Sequence, residues 1–216
     1  MRHKGLLFDL DGVIVDTAKY HYMAWKEIAE EIGISFTVDD NERLKGVSRI
    51  RSFEIILEIG DCSMNETEKE YYCSRKNDIY LTYIRKMKED EILPNVRRFL
   101  EDAKGKGYQI ALGSASRNSG IILDRLNLIG MFDAIVDGTK VSKAKPDPEV
   151  FVRGAEVLKL LNKECIVFED SVAGIEAAHA CGMFAVGIGS RELLPEANLI
   201  VSGFQDISID WIEKNL

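Results

Sequence analysis

The chain has 216 residues, a net charge of −8 and an apolar fraction of 46%, enough for one large domain or a core domain with a smaller companion. The acidic balance excludes the basic face that nucleic acid or an anionic membrane surface would demand, while allowing a local basic pocket for a phosphorylated small molecule. No leader pattern follows Met1, no apolar run approaches the roughly 18 residues of a membrane span, and Cys62, Cys73, Cys165 and Cys181 are scattered without zinc-site spacing. A reduced, cytoplasmic and monomeric protein is expected.

In chain order, Gly5–Phe8 is a short, wholly apolar run and reads as a first strand. From residue 17 to about 88 no strand pattern occurs. Tyr22, Trp25, Ala29 and Ile32 form a helical stripe that ends at Gly33, a plausible C-cap, and residues 50–59 and 66–87 continue in the same manner. Helix 95–106 then leads into a strand at 108–113, helix 118–126 into Ala134–Val136, helix 148–161 into 165–168, and helix 171–181 into Phe184–Ile188. Leu199–Val201 would be an edge strand. These strands are continuous apolar runs, the mark of a parallel sheet covered on both faces. The pattern predicts an α/β fold with a doubly wound, mostly parallel Rossmann-like sheet formed by residues 1–16 and 90–216. Residues 17–89 would be an inserted helical-bundle cap, with links near 15–17 and 88–94.

The chemistry is concentrated at strand ends. Asp9 and Asp11 follow the first strand, with Gly12 permitting a sharp turn; the carboxyl end of a parallel strand is where such folds place ligands. Ser114 follows the second strand, Lys145 lies in a Lys-Pro-Asp-Pro segment after the third, and Glu169-Asp170 closes the fourth. Singly, each has a structural reading: a turn former, a loop cap, a solvated lysine, a helix N-cap at Asp170 or Ser171. Their recurrence at successive strand ends points to one site.

Asp9-x-Asp11-Gly12-Val13, Ser114, Lys145-Pro146 and Glu169-Asp170 resemble the four signature motifs of the haloacid dehalogenase-like superfamily, and the resemblance spans essentially the full chain. It implies that Asp9 is a nucleophile receiving a phosphoryl group and Asp11 a general acid–base. Ser114 and Lys145 would stabilise the transferring phosphoryl oxygens. Asp9, Asp11, Glu169 and Asp170 would bind Mg2+. The chemistry is consistent: a phosphoryl group in flight carries negative charge that an anionic nucleophile can approach only with cationic help, and magnesium favours a few carboxylates and waters. Asp11 argues against a dehalogenase, which lacks the second acid.

Asp16-Thr17-Ala18-Lys19-Tyr20-His21, Leu44-Lys45-Gly46-Val47-Ser48-Arg49 and Ser114-Ala115-Ser116-Arg117-Asn118 resemble segments of the superfamily's sugar phosphomutases. That implies interconversion of β-D-glucose 1-phosphate and glucose 6-phosphate through a phospho-aspartate and a β-glucose 1,6-bisphosphate. Arg49, with Ser116, Arg117 and Asn118, would grip the distal phosphate. Thr17, His21, Trp25, Lys45, Gly46, Val47, Ser48, Ser52, Lys76 and Ala115 would complete substrate binding. His21 would contact the sugar or position Asp11, favouring transfer to a hydroxyl over loss to water. The mutases usually carry lysine at the position of Arg117; an arginine forks onto phosphate where lysine cannot. A phosphatase of small sugar phosphates on the same scaffold, and a non-catalytic binding module, are the alternatives.

Overall fold

The computed structural model describes residues 3–44 and 48–215. It divides into two compact units, Met1–Asp16 with Met87–Leu216, and Thr17–Lys86.

The larger unit is a six-stranded sheet in the order β3-β2-β1-β4-β5-β6, every pairing parallel. Its strands are β1 (Gly5–Phe8), β2 (Gln109–Gly113), β3 (Ala134–Val136), β4 (Cys165–Glu169), β5 (Phe184–Ile188) and β6 (Leu199–Val201). The expected Rossmann-like architecture is therefore present, with Leu199–Val201 at the edge.

The continuous apolar runs have a direct cause, because both faces of the sheet are covered. On one face Leu7, Ala111, Val167 and Ala185 join a cluster with Val150, Phe151, Ala155, Leu158, Ile175, Ala177 and Ala178. On the other face Phe8 stacks on Phe168 at 4.6 Å and 5°, and Phe99 and Phe204 close round Phe168 at 5.5 and 5.7 Å. Residues 7 and 8 point to opposite sides, as the two-residue strand period demands, and both are fully buried. Each such side chain withdrawn from water contributes roughly 1.5–3 kcal/mol.

The smaller unit holds α1 (Ala18–Glu31), α2 (Val38–Glu42), α3 (Arg49–Ile59) and α4 (Glu66–Ile84). Trp25, Ile28, Ala29, Phe53, Ile56 and Cys73 form its core, with the Trp25 and Phe53 rings stacked at 6.0 Å. The short α2 lies beyond the sequence reading. It begins in a capping box, Thr37 accepting from the Asp40 amide while the Asp40 carboxylate takes the Thr37 amide. In the larger unit follow α5 (Val96–Gly105), α6 (Ser119–Arg125), α7 (Glu149–Leu158), α8 (Val172–Ala180) and α9 (Ile209–Asn215). Helix α7 stops three residues before the expected 161, because Lys159 adopts a left-handed φ of 58°. Among the described residues no helix is long and apolar enough to cross a membrane.

Candidate active site

The register brings the chemistry together. Phe8 pairs with Leu112 on one side and Phe168 on the other. The residues that follow, Asp9, Gly113 and Glu169, therefore sit level on three adjacent strands, roughly 4.8 Å apart in the hydrogen-bonding direction. The Asp9 amide continues the ladder to the Phe168 carbonyl at 3.0 Å, and the Ser114 amide bonds the Val136 carbonyl at 3.0 Å. Asp9, Ser114 and Glu169 are all buried.

Lys145 reaches this edge from the loop before α7. Its Nζ donates to Asp9 Oδ1 at 2.5 Å and to Glu169 Oε1, and lies 4.8 Å from the centre of the Phe151 ring. Glu169 is held from its other oxygen: Oε2 accepts from the Ser171 amide at 2.9 Å and the Ser171 hydroxyl at 2.8 Å. Ser171 in turn caps α8 by accepting from the Gly174 amide.

Glycines at two positions let these acids sit where they do. Gly12 has φ +73°, and a Cβ there would lie 1.9 Å from Asp170 Oδ2; a Cβ on Gly174 would lie 1.9 Å from the Glu169 carboxyl carbon. Gly12 also turns the chain so that its amide bonds the Val15 carbonyl, with Asp11 bridged to Val15.

The loop after β2 is folded on itself. Ser114 Oγ accepts from the Ser116 amide, Ser116 Oγ from the Asn118 amide, and the Ser116 carbonyl takes both the Ser119 hydroxyl and the Gly138 amide. Ala115 presses its carbonyl towards Gly138, where a Cβ would lie 2.2 Å away. Arg117 passes the same glycine, its Cγ 3.2 Å from that point.

Asp9 and Glu169 thus share the Lys145 ammonium, with the charge of Asp11 felt at both Asp9 and Asp170. Burial, then Glu169 and Asp11, push Asp170 up to about 6. Burial pushes Asp9 up as well, Glu169 and Asp11 adding to it while Lys145 opposes. Lys145 is held protonated because Asp9 and Glu169 outweigh the burial that disfavours its charge. Among the described residues no three acids, histidines or cysteines are gathered closely enough to grip an ion as they stand. The donor set nevertheless suits magnesium: hard oxygens, surplus negative charge, and Asp170 seated against a residue without a side chain.

The helical unit gathers its own group. Lys76, 3% exposed, lies 2.8 Å from His21 Nδ1 and sits over the Trp25 and Tyr80 rings at 5.1 and 4.9 Å. His21 packs on Tyr80 with ring centres 4.3 Å apart, and Arg49 donates to Asn77 Oδ1 at 3.1 Å. Thr17 precedes α1 and is buried, as is Ser52; Ser48 caps α3 by accepting from the Arg51 amide. Lys45, Gly46 and Val47 lie outside the described residues. Tyr80 and Asn77 escaped the sequence reading, although both sit within one helical turn of Lys76, at i+4 and i+1.

Residues 3–182 match the family described as haloacid dehalogenase-like hydrolase. The chain is 44% identical to a β-phosphoglucomutase of Bacillus subtilis, over 98% of this chain and 94% of that one. It is 33% identical to a phosphorylated carbohydrates phosphatase of Thermotoga maritima, over 83% and 82%. The crystal structure of a β-phosphoglucomutase from Clostridium difficile superposes with a TM-score of 0.87 at 40% identity, covering 99% of this chain and 96% of that one.

Proposed function

The chain belongs to the haloacid dehalogenase-like hydrolases, and within that family we propose that it is a β-phosphoglucomutase. It interconverts β-D-glucose 1-phosphate and glucose 6-phosphate through a phospho-aspartate and β-glucose 1,6-bisphosphate. The observation that carries the chemistry is the bridge from Lys145 to both Asp9 and Glu169 at the ends of adjacent parallel strands. The similarity to the Bacillus subtilis mutase along nearly the whole of both chains supports the choice of substrate.

Asp9 attacks phosphorus and becomes esterified, while Asp11 protonates the oxygen that leaves. With Asp9 phosphorylated, Asp11 takes the proton from the 6-hydroxyl of a bound β-glucose 1-phosphate, and that oxygen attacks the acyl phosphate to give the 1,6-bisphosphate and free Asp9. After the sugar turns round, Asp9 attacks the phosphorus at C1, Asp11 returns the proton to O1, and glucose 6-phosphate leaves with the phospho-aspartate restored. Such positioned acid–base transfer contributes roughly 10²–10⁴-fold. Lys145 offsets charge on the phosphoryl oxygens, and the Ser114 segment supplies neutral donors. Asp9, Asp170 and the Asp11 carbonyl would hold Mg2+, with Glu169 adding negative charge; the ion's contribution is to neutralise the phosphate and favour in-line approach. In the helical unit Arg49, Lys76 and His21 offer polar partners for the phosphate and hydroxyls remote from the reaction, with Arg117 and Asn118 doing so in the sheet unit.

Phosphorus NMR of the protein with β-glucose 1-phosphate, magnesium and a trace of bisphosphate tests this directly. Glucose 6-phosphate should accumulate without stoichiometric inorganic phosphate, and Asp9→Asn should lose turnover by several orders of magnitude. Stoichiometric phosphate release from the native chain would instead establish the second reading, a sugar phosphate phosphatase, which the Thermotoga maritima relative favours.

A further inference from the structure

Lys145 lies on neither a strand nor a helix, yet its ammonium must be delivered between two buried carboxylates. The loop that carries it, residues 142–149, has little ladder of its own; the Asp147 amide bonds the Ala144 carbonyl at 3.0 Å. We propose that Glu149, the first residue of α7, is the positioning residue for Lys145, its carboxylate fastening the entry of this loop. The inference rests on the reading of Lys145 as the cation facing the transferring phosphoryl group.

One oxygen of Glu149 does most of the fastening. Oε2 accepts from the Ser142 amide at 2.8 Å, the Ser142 hydroxyl at 2.9 Å and the Lys143 amide at 2.9 Å. The other oxygen pairs with Arg153 at 2.6 Å, one turn further along α7. At the exit, Asp147 Oδ1 accepts from the Glu149 amide at 3.0 Å, and its partner oxygen pairs with Lys143 Nζ at 3.2 Å. The segment is therefore drawn into a closed ring with Lys145 midway.

The two ties differ in worth. The Lys143–Asp147 pair is exposed on the lysine side, 69% for that side chain, and contributes little. The Glu149 carboxylate is only 17% exposed, and its bonds to backbone amides are charge-assisted. Desolvation opposes its charge, yet the bonds from Ser142, Lys143 and Arg153 outweigh that and hold its carboxyl at about 2. The tie is thus ionised throughout the neutral range. Without it, two amides and a hydroxyl would need water, and the four-carbon arm of Lys145 would start from a loosened backbone.

The test uses the full chain with magnesium, assayed for phosphate migration, with kcat, KM and the thermal midpoint measured together. Glu149→Ala should lower kcat by up to about 10²-fold, the scale of a 1 Å misplacement, with KM nearly unchanged. Glu149→Gln keeps the shape and a neutral acceptor, so its loss should be smaller, about three- to tenfold. Arg153→Met removes only the outer ion pair and should keep wild-type kcat. The proposal is overturned if both Glu149 variants keep kcat within about twofold, if KM rises in step with the fall in kcat, or if Arg153→Met loses as much as Glu149→Ala. Should Glu149→Ala fail to fold, Glu149→Gln decides alone. A native chain that releases phosphate instead of moving it would sink the mutase reading only; the same comparisons then apply to hydrolysis. A native chain without phosphoryl transfer would sink both.

Discussion

At the scale of single residues, Lys76 is the most informative side chain outside the strand-end cluster. Burial, and after it the like charge of Arg49, pushes its pKa from 10.5 down to about 7. The folded value lies below the unfolded one, so between about pH 7 and 10 the unfolded chain binds more protons and stability rises with pH. Lys76→Met abolishes that titration. Denaturation across a pH series should show the variant's advantage over the native chain greatest at pH 7 and below, shrinking as pH approaches about 10. A gap independent of pH would mean that the aromatic rings and His21 keep the ammonium charged at no cost. Of this cluster, Lys76, His21, Trp25 and Arg49 could be named from the chain alone. Their partners Tyr80 and Asn77 could not, because the apolar residues of α4 are spread round the helix with only a weak period and its buried stripe of Cys73, Lys76, Tyr80 and Ile84 contains a lysine.

At the scale of elements, the helix α8 is built around a missing side chain. Gly→Ala in a helix is ordinarily stabilising, since alanine restricts the unfolded chain. At Gly174 the added methyl would strike the Glu169 carboxylate, so Gly174→Ala should lower both the melting point and kcat. Gly120, in α6, has nothing within 4 Å of its Cβ position; Gly120→Ala should raise stability by about 0.4–1 kcal/mol and leave turnover alone. Equal effects from the two substitutions would refute the account. The strands themselves were readable because a sheet covered on both faces needs unbroken apolar runs, which β1, β2 and β4 supply. Helix α2 was not read, because five residues with no buried member carry no apolar period; only its Thr-x-x-Asp capping pair marks it. The grouping of Asp9, Lys145 and Glu169 followed from strand order. The fastening by Ser171 and Glu149 depends on side-chain directions in loops, for which no periodicity speaks.

At the scale of the whole molecule, the larger unit concentrates acid at the carboxyl ends of its central strands, where Lys145 pairs with Asp9 and Glu169. Magnesium held there, as proposed, would stabilise the fold by mass action, about 2.7 kcal/mol at a hundredfold excess over Kd. The thermal midpoint should therefore climb with magnesium and fall back with a chelator, and Asp170→Asn should flatten the response. A midpoint insensitive to magnesium in the native chain would remove the ion from the proposal. The four phenylalanines under those strand ends carry a consequence for engineering. Phe8 and Phe168 directly precede Asp9 and Glu169, so the rings at 4.6 Å set the footing of both acids. A directed-evolution campaign rewarding heat tolerance could repack those rings to advantage and, unnoticed, shift the spacing on which turnover depends.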